Sequence, residues 1–207
     1  AAGDVTINQA VTVAGAGTIE FDAAGDIVVG ANLTSAGGSV TVKSGGALAQ
    51  SASTTIATGG GAANLTADTM SLDVGAAINA GAGLVTLAGL NNRDVVVGAG
   101  ATDNAGTTLG LSDTELATIT TSGGMTIKAV GAGNLTFSGA LDLATPAQLT
   151  GGTLTLQSDA FGATNGKTLT SPVDTALIGG SGISTTVGST ISAAANRKVS
   201  LTTSGID

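Results

Sequence analysis

Apolar residues recur along this chain in short triplets, apolar–x–apolar, each set off by glycine or a small polar residue. One copy reads Asp26-Ile-Val-Val-Gly-Ala-Asn-Leu33 and then Ser39-Val-Thr-Val42, and another reads Ser71-Leu-Asp-Val-Gly-Ala-Ala-Ile78 and then Leu84-Val-Thr-Leu87. Ile27 and Leu72, Val29 and Val74, Leu33 and Ile78, Val40 and Val85, and Val42 and Leu87 are each separated by 45 positions. Val5 and Ile7 precede Ile27 and Val29 by 22, while Val95 and Val97 follow Leu72 and Val74 by 23. Leu135, Phe137 and Leu141 follow Leu72, Val74 and Ile78 by 63, ahead of Leu154-Thr-Leu156. Val187 with Ile191, and then Val199-Ser-Leu201, close the series. Because 45 is close to two units of 22, a divergent unit is expected between the copies at Asp26 and Ser71.

Alternation at period 2 with β-branched residues predicts strands, since a helix would need apolar positions at 3.6 spacing. The Leu-rich consensus and Asn or Cys ladder of a leucine-rich repeat are missing. Gly, Asn, Ser and Asp bound every triplet and turn the chain at low steric cost. Three short strands and three corners per unit describe one turn of a coil whose successive turns stack in register. The expected fold is therefore all-β, a right-handed parallel β-helix (β-solenoid) of about nine turns of about 22 residues over 1–207. Val29, Val42, Val74, Val85, Leu87, Val97, Phe137 and Leu156 should be buried, and Thr41, Thr86 and Thr155 should face solvent.

Composition sharpens this picture. The 207 residues include 34 Gly and 42% hydrophobic residues, but only 10% charged ones, and the aromatics are Phe21, Phe137 and Phe161. A core must then come from many small aliphatic side chains, which narrow stacked coils provide. Disorder would require low hydrophobicity and high charge, the opposite of what is found. A net charge of −8 with six basic residues leaves no stripe to neutralise phosphates, so nucleic acid is not expected as a partner. No apolar run approaches the length of a membrane span. No Cys is present to form a disulfide or a thiolate metal site. Strand-like runs at both extremities suggest a segment of a longer chain, whose edges at Val5–Ile7 and Val199–Leu201 would continue or stack end to end.

One stretch departs from the repeat. Leu109-Gly-Leu-Ser-Asp-Thr-Glu-Leu-Ala-Thr-Ile119 contains Ser112-x-x-Glu115, a capping box that predicts one short helix near 113–117, outside the stacked strands. This stretch, followed by Gly-Gly-Met-Thr-Ile127, resembles a recurring unit of filamentous-haemagglutinin-like exoproteins. The Gly-x-apolar-Thr-apolar triplets elsewhere are similar to that family too, so the resemblance spans essentially the whole chain. It implies export by a two-partner system, an extracellular place on the bacterial surface, and a role in adhesion or cell aggregation. Its expected partners are further rods, end to end or side by side, and a receptor on a host or neighbouring cell. The Asn-Pro-Asn motifs of the family's secretion domain are missing, since the prolines are Pro146 and Pro172, which places the resemblance in the repetitive shaft.

Candidate chemistry is sparse. Without His or Cys, Ser–His and Cys–His nucleophile pairs cannot form, and zinc lacks its preferred ligands. The rival to a structural rod is a carbohydrate-processing or carbohydrate-binding β-helix, which needs carboxylates that converge from successive turns. Its nearest candidates are Glu20 with Asp22 and Asp113 with Glu115; a solvated strand face has the same pattern as the first pair. Asn32, Asn64 and Asn134 match a glycosylation sequon but read as corner residues, and Gly15-x-Gly17 and Gly131-x-Gly133 read as corners rather than phosphate loops. Thr118-x-Thr120 and Thr168-x-Thr170 are too isolated for a regular Thr array. No catalytic, cofactor-binding or metal-ligating residue is assigned. A partner-binding feature is expected on the irregular Thr102–Gly124, through Asp103, Asp113, Glu115, Leu109, Leu111 and Leu116, unless those leucines only seal the side of the rod.

Overall fold

The structure is a computed structural model that describes residues 3–144, 148–161, 166–184 and 188–203. It is a β-solenoid in which every strand ladder is parallel. The longest stack, here the third face, carries eight rungs among the described residues: Ile19–Ala23, Val40–Ser44, Ala63–Ala67, Val85–Asn91, Met125–Val130, Thr153–Phe161, Asp174–Ile183 and Val199–Thr203. The first face begins with Val5–Ile7, Ile27–Val29, Ala47–Gln50 and Thr69–Leu72. The second begins with Val11–Val13, Leu33–Ser35, Thr55–Ala57, Ala77–Gly81 and Ile119–Thr121. Ala47–Gln50, Thr55–Ala57 and Ala63–Ala67 together are the divergent unit expected between the two clearest copies.

The expected nine turns are about eight. Register partners on the third face step from Ile19 through Val40, Ala63 and Val85 by 21 to 23 residues, but 40 residues separate Val85 from Met125 and 29 separate Met125 from Leu154. Two insertions thus consume the residues that a uniform repeat would have spent on one further turn.

The inward assignment holds for Val29, Val42, Val85, Leu87, Val97, Phe137 and Leu156, all buried. Thr41, Thr86 and Thr155 alternate with them on the outer side, half-buried between neighbouring rungs rather than fully exposed. Val74 is the correction: it is 81% exposed. On the first face Ile27 stacks on Leu48 and then Met70, and Val29 stacks on Gln50, which stacks on Leu72. The 45-residue spacing therefore fails on this face by two residues. The slack lies in a wider corner, where Asp73-Val74-Gly75 passes around a glycine at φ +92°. The spacing holds on the other faces, where Leu33, Ile56 and Ile78 stack, as do Val40, Ala63 and Val85. The proposed copies at Val95 and Val97 do not stack directly on Leu72 and Val74, because an inserted strand intervenes. Val187 lies outside the described residues, as does Pro146.

Two features at the corners explain the composition. Asp4, Asp26 and Asp94, the residues that open three of the copies, each accept a backbone N–H from the following rung: Asp26 at 3.0 Å, Ala47 at 2.8 Å and Asn134 at 2.8 Å. Asn32 does the same for Thr55 at 2.8 Å, the corner role expected of it. Between the second and third faces Gly38, Gly61 and Gly83 stack so tightly that a Cβ on each would overlap the carbonyl oxygen of Gly17, Gly38 and Gly61 respectively. Just inside this corner run Ser35, Thr58 and Thr121, all buried, with hydroxyls donating to carbonyls of the glycine-bearing turns, Gly17 at 2.9 Å and Gly83 at 2.6 Å among them. Buried hydroxyls are tolerated here because each has its acceptor.

Two sets of substitutions test this arrangement in urea unfolding followed by circular dichroism. Gly83→Ala should lose about 1–3 kcal/mol through overpacking against backbone that has no room to yield, while Gly3→Ala, with open space around it, should stay within about 0.5 kcal/mol. Val85→Asp buries an unpaired charge and should cost several kcal/mol, roughly, whereas Thr86→Asp and Val74→Asp should each change stability by no more than about 0.5 kcal/mol. Equal losses at Val74 and Val85 would overturn the inward–outward assignment.

Candidate functional site: an insertion held by carboxylates

The larger insertion leaves the first face after Asp94–Val97 and returns as the strand Thr108–Leu111, which pairs in parallel with Asp94–Val97, Val95 opposite Leu109 and Val97 opposite Leu111. This strand lies between Thr69–Leu72 and Asp94–Val97. It has a regular ladder on one side. On the other, carboxylates take the place of carbonyls. Asp103 accepts from the Gly110 amide at 2.8 Å through one oxygen and from the Met70 amide at 3.2 Å through the other, so one side chain joins the two strands. Glu115 accepts from the Leu72 amide at 3.4 Å. Asp68 accepts from the Gly106 amide at 2.8 Å and pairs with the Arg93 guanidinium.

The helix forms where the capping box places it, over Asp113–Leu116. Ser112 accepts from the Glu115 amide at 3.4 Å, and Glu115 accepts in return from the Ser112 amide at 2.9 Å. Glu115 thus has two tasks, one oxygen closing the cap and the other holding the edge of Thr69–Leu72. The expectation that the helix lies outside the stack is corrected in part. Leu116 is fully buried, so the helix rests on the rod and adds a side chain to the core. Leu109 and Leu111 are fully buried as well. The three leucines seal the rod, and none remains as apolar surface for a partner. What the insertion does expose is polar, the run from Thr102 to Thr107.

Burying a carboxylate between strands has an electrostatic consequence. Asp103 sits on an exposed loop, but its carboxylate is tucked between two strands. The loss of water there raises its pKa above the ordinary carboxylate value, with Glu115 and Asp68 adding repulsion against the lowering effect of the two amides. Asp113 is also raised, by burial first and then by the charge of Asp142, and its Oδ1 is buried without a hydrogen-bond partner. Asp113 and Glu115 therefore do not act as a pair; they face different neighbours. Glu20 and Asp22 lie side by side on the outer surface of the third face, over Thr41 and Lys43, and Asp22 forms an ion pair with Lys43 at 2.9 Å. No further carboxylate joins them, and no group of three His, Cys, Asp or Glu side chains arranged for a metal occurs among the described residues.

The convergence of Asp68, Arg93, Asp103 and Glu115 escaped sequence reading. Asp68 and Arg93 are 25 residues apart, a spacing near the repeat length that could have suggested contact between adjacent turns. Gln50 was also missed: it occupies an inward position between Val29 and Leu72, donating to the Thr54 and Ala77 carbonyls at 3.2 and 3.0 Å. No family model, curated protein or solved structure matches this chain.

Asp103 gives this site a pH signature. A carboxyl whose folded-state pKa is raised adds stability that is fully present below its unfolded pKa and is lost as pH rises through the folded value. The stability of the natural protein relative to Asp103→Asn should therefore fall between the acid side of the ordinary carboxylate range and neutrality. Urea midpoints measured across that range check it; a difference that stays constant with pH, or grows toward neutrality, would show that burial does not govern this carboxyl. Asp103→Ala, which leaves the Met70 and Gly110 amides without acceptors, should lose about 1–3 kcal/mol at neutral pH.

Proposed function

We propose that this chain is a rigid structural segment of a secreted bacterial surface fibre, an extracellular scaffold that serves adhesion or cell aggregation. The observation that carries this reading is the parallel ladder of eight successive rungs among the described residues, over a core of fully buried aliphatic side chains. Such a rod spreads its stability evenly along its length and needs no disulfide to stay stiff. The larger insertion supports the same reading. Where acidic residues do converge, their oxygens are engaged by backbone amides and by Arg93 in closing a gap between strands. The resemblance of Leu109–Ile127 to a unit of filamentous-haemagglutinin-like exoproteins agrees with it, and carries the further proposal of export by a two-partner system.

Self-association fits the same picture. Val5–Ile7 pairs only with Ile27–Val29, and Val199–Thr203 only with Asp174–Ile183, so each has a backbone edge not paired within the described residues. Leu201, 57% exposed, lies on one of these edges. Parallel edges of the same cross-section can extend one another, in this chain or between copies.

The test combines mechanics with binding. Beads coated with the chain should attach to cells of the producing bacterium or to host epithelial cells, and single rods pulled along their axis should unfold in steps of one or a few turns. Antibody raised against the chain should label intact, unpermeabilised producing cells. Attachment no greater than that of beads coated with heat-denatured chain, together with labelling only after permeabilisation, would overturn the proposal. A second variant asks whether the insertion takes part. Replacing residues 98–117 by a short Gly-Asn corner spares Ile119–Thr121, which is a rung of the second face, and should let Thr69–Leu72 pair directly with Asp94–Val97. If the shortened rod folds and its beads adhere as before, the insertion serves the rod alone.

A further inference from the structure

A polar groove of about 300 Å³ breaks the regular outer surface of the rod where the third face turns into the first. Its origin is a change in how the chain rounds this corner. In Thr153–Phe161 and Asp174–Ile183 the strand runs through the bend without a break, and the ladder between them skips register between Ser158 and Ala160. The rung before them stops at Val130 and turns at Gly131, whose φ is +69°. A bulged corner stacked on a tight one leaves a concavity along the rod axis.

Lys128, Gln157 and Ile178 line this groove and are register partners on three successive rungs, about 4.8 Å apart. Asp159 and Gly180 form its other side. Gly180 has a specific reason to be glycine: a Cβ there would press on the Asp159 carboxylate oxygen at 2.6 Å, so its absence makes the space that the carboxylate occupies. Ala129, Val130 and Ile178 supply small apolar surfaces. Lys128 is partly buried, yet it makes no ion pair among the described residues, whereas Lys43 on the same face is paired with Asp22 and Arg93 with Asp68.

We infer that this groove binds an acidic sugar unit, a hexuronate or similar carboxylated pyranose, free or within a polysaccharide lying along the rod. An ammonium with no ion-pair partner among the described residues, beside a concavity, calls for an anion. The remaining polar lining includes the Asp159 carboxylate, which only accepts, and the Gln157 amide, which both accepts and donates, and such a lining suits a ligand that also donates, as vicinal hydroxyls do. The apolar patches match the C–H face of a pyranose, and the spacing of the rungs is close to the length of one sugar. A peptide is disfavoured by the backbone: the central strands of the third face are hydrogen-bonded on both sides, so no edge is open there for strand addition. The site is distinct from Glu20, Asp22 and the insertion, and a groove of this kind would serve a free rod as well as a fibre.

The experiment is a titration of the isotopically labelled full chain with trigalacturonate, followed through the backbone amides. Galactotriose serves as the uncharged counterpart and tetraglutamate as an anion of another class. Saturable shifts should centre on Gly131, Gln157 and Gly180. Lys128→Gln should weaken binding by about tenfold or more, the loss expected for a charge-assisted hydrogen bond. Gly180→Ala, whose methyl would displace the Asp159 carboxylate oxygen and press more lightly on the Asp159 backbone, should weaken it too, and Lys43→Gln should leave it unchanged. Spectra of each variant without ligand establish that it is folded. Absence of saturable shifts in the groove, equal binding of galactotriose or tetraglutamate, or unchanged affinity in Lys128→Gln would each overturn the assignment. Dependence of the trisaccharide but not of monomeric galacturonate on Ile178→Ser would identify a polymer as the occupant, and equal dependence a single sugar.

Discussion

The fold depends on one distance, the separation of about 4.8 Å between hydrogen-bonded strands that every residue must keep from its counterpart one turn away. Such a spacing leaves no room for a side chain between backbones. At the corner of the second and third faces it excludes even a methyl group, which is why Gly38, Gly61 and Gly83 recur at the same place in successive turns. It also dictates the polar inventory. Wherever a corner lifts a backbone amide out of the ladder, a short side chain one turn below must reach it, and Asp4, Asp26, Asn32 and Asp94 do so. Much of the chain's net negative charge is therefore tied to structure, through acidic residues that act as acceptors at corners.

The same constraint separates what could be read from the sequence from what could not. A triplet such as Val40-Thr-Val42 declares its own geometry, since alternation at period 2 assigns both buried positions and the outward one between them. Stacking is less local. The relation between Val29 and Val74 fails because corners vary in length while strands do not. Two extra residues around Gly75 preserve the alternation, so Leu72 is still buried, yet they carry Val74 beyond the end of the strand and into solvent. Positional spacing across more than one turn accumulates such slack and cannot reveal on which face it lies. The short helix was legible because a capping box is complete within four residues. Its second task was not, because Glu115 also serves the Leu72 amide, 43 positions earlier.

The insertion shows what happens when the ladder is opened. Adding a strand beside Asp94–Val97 would strand the amides of Thr69–Leu72 unless acceptors came with it, and buried amides without acceptors are costly. Asp103 and Glu115 supply them, but a carboxylate is a poorer partner than a carbonyl in one respect: it brings charge. Burial between the strands strips water from the Asp103 carboxylate, Glu115 and Asp68 add a smaller repulsion, and Asp68 is itself paired with Arg93. The raised pKa of Asp103 is the residue of that compromise. A segment that satisfies backbone groups this way is more sensitive to pH than the regular turns, whose bonds between rungs are carried mainly by uncharged backbone groups.

Departures from the repeat also decide where specificity can reside. A face made of identical rungs presents the same chemistry at every level, so a ligand bound there has no unique position along the rod. Uniqueness requires a break in the translation, and the chain offers two kinds. The insertion breaks it by adding residues, and its leucines and carboxylates are used up in mending the gap that it opens. The bulged corner at Ser158–Ala160 breaks it without adding a segment, by letting a strand run through a bend, and nothing among the described residues pairs with the Lys128 charge that borders it. The physical difference is one of remaining valence. A break that must restore lost hydrogen bonds turns its polar groups inward, while a break that keeps the ladder on both sides leaves the Lys128 charge beside it available to meet something else.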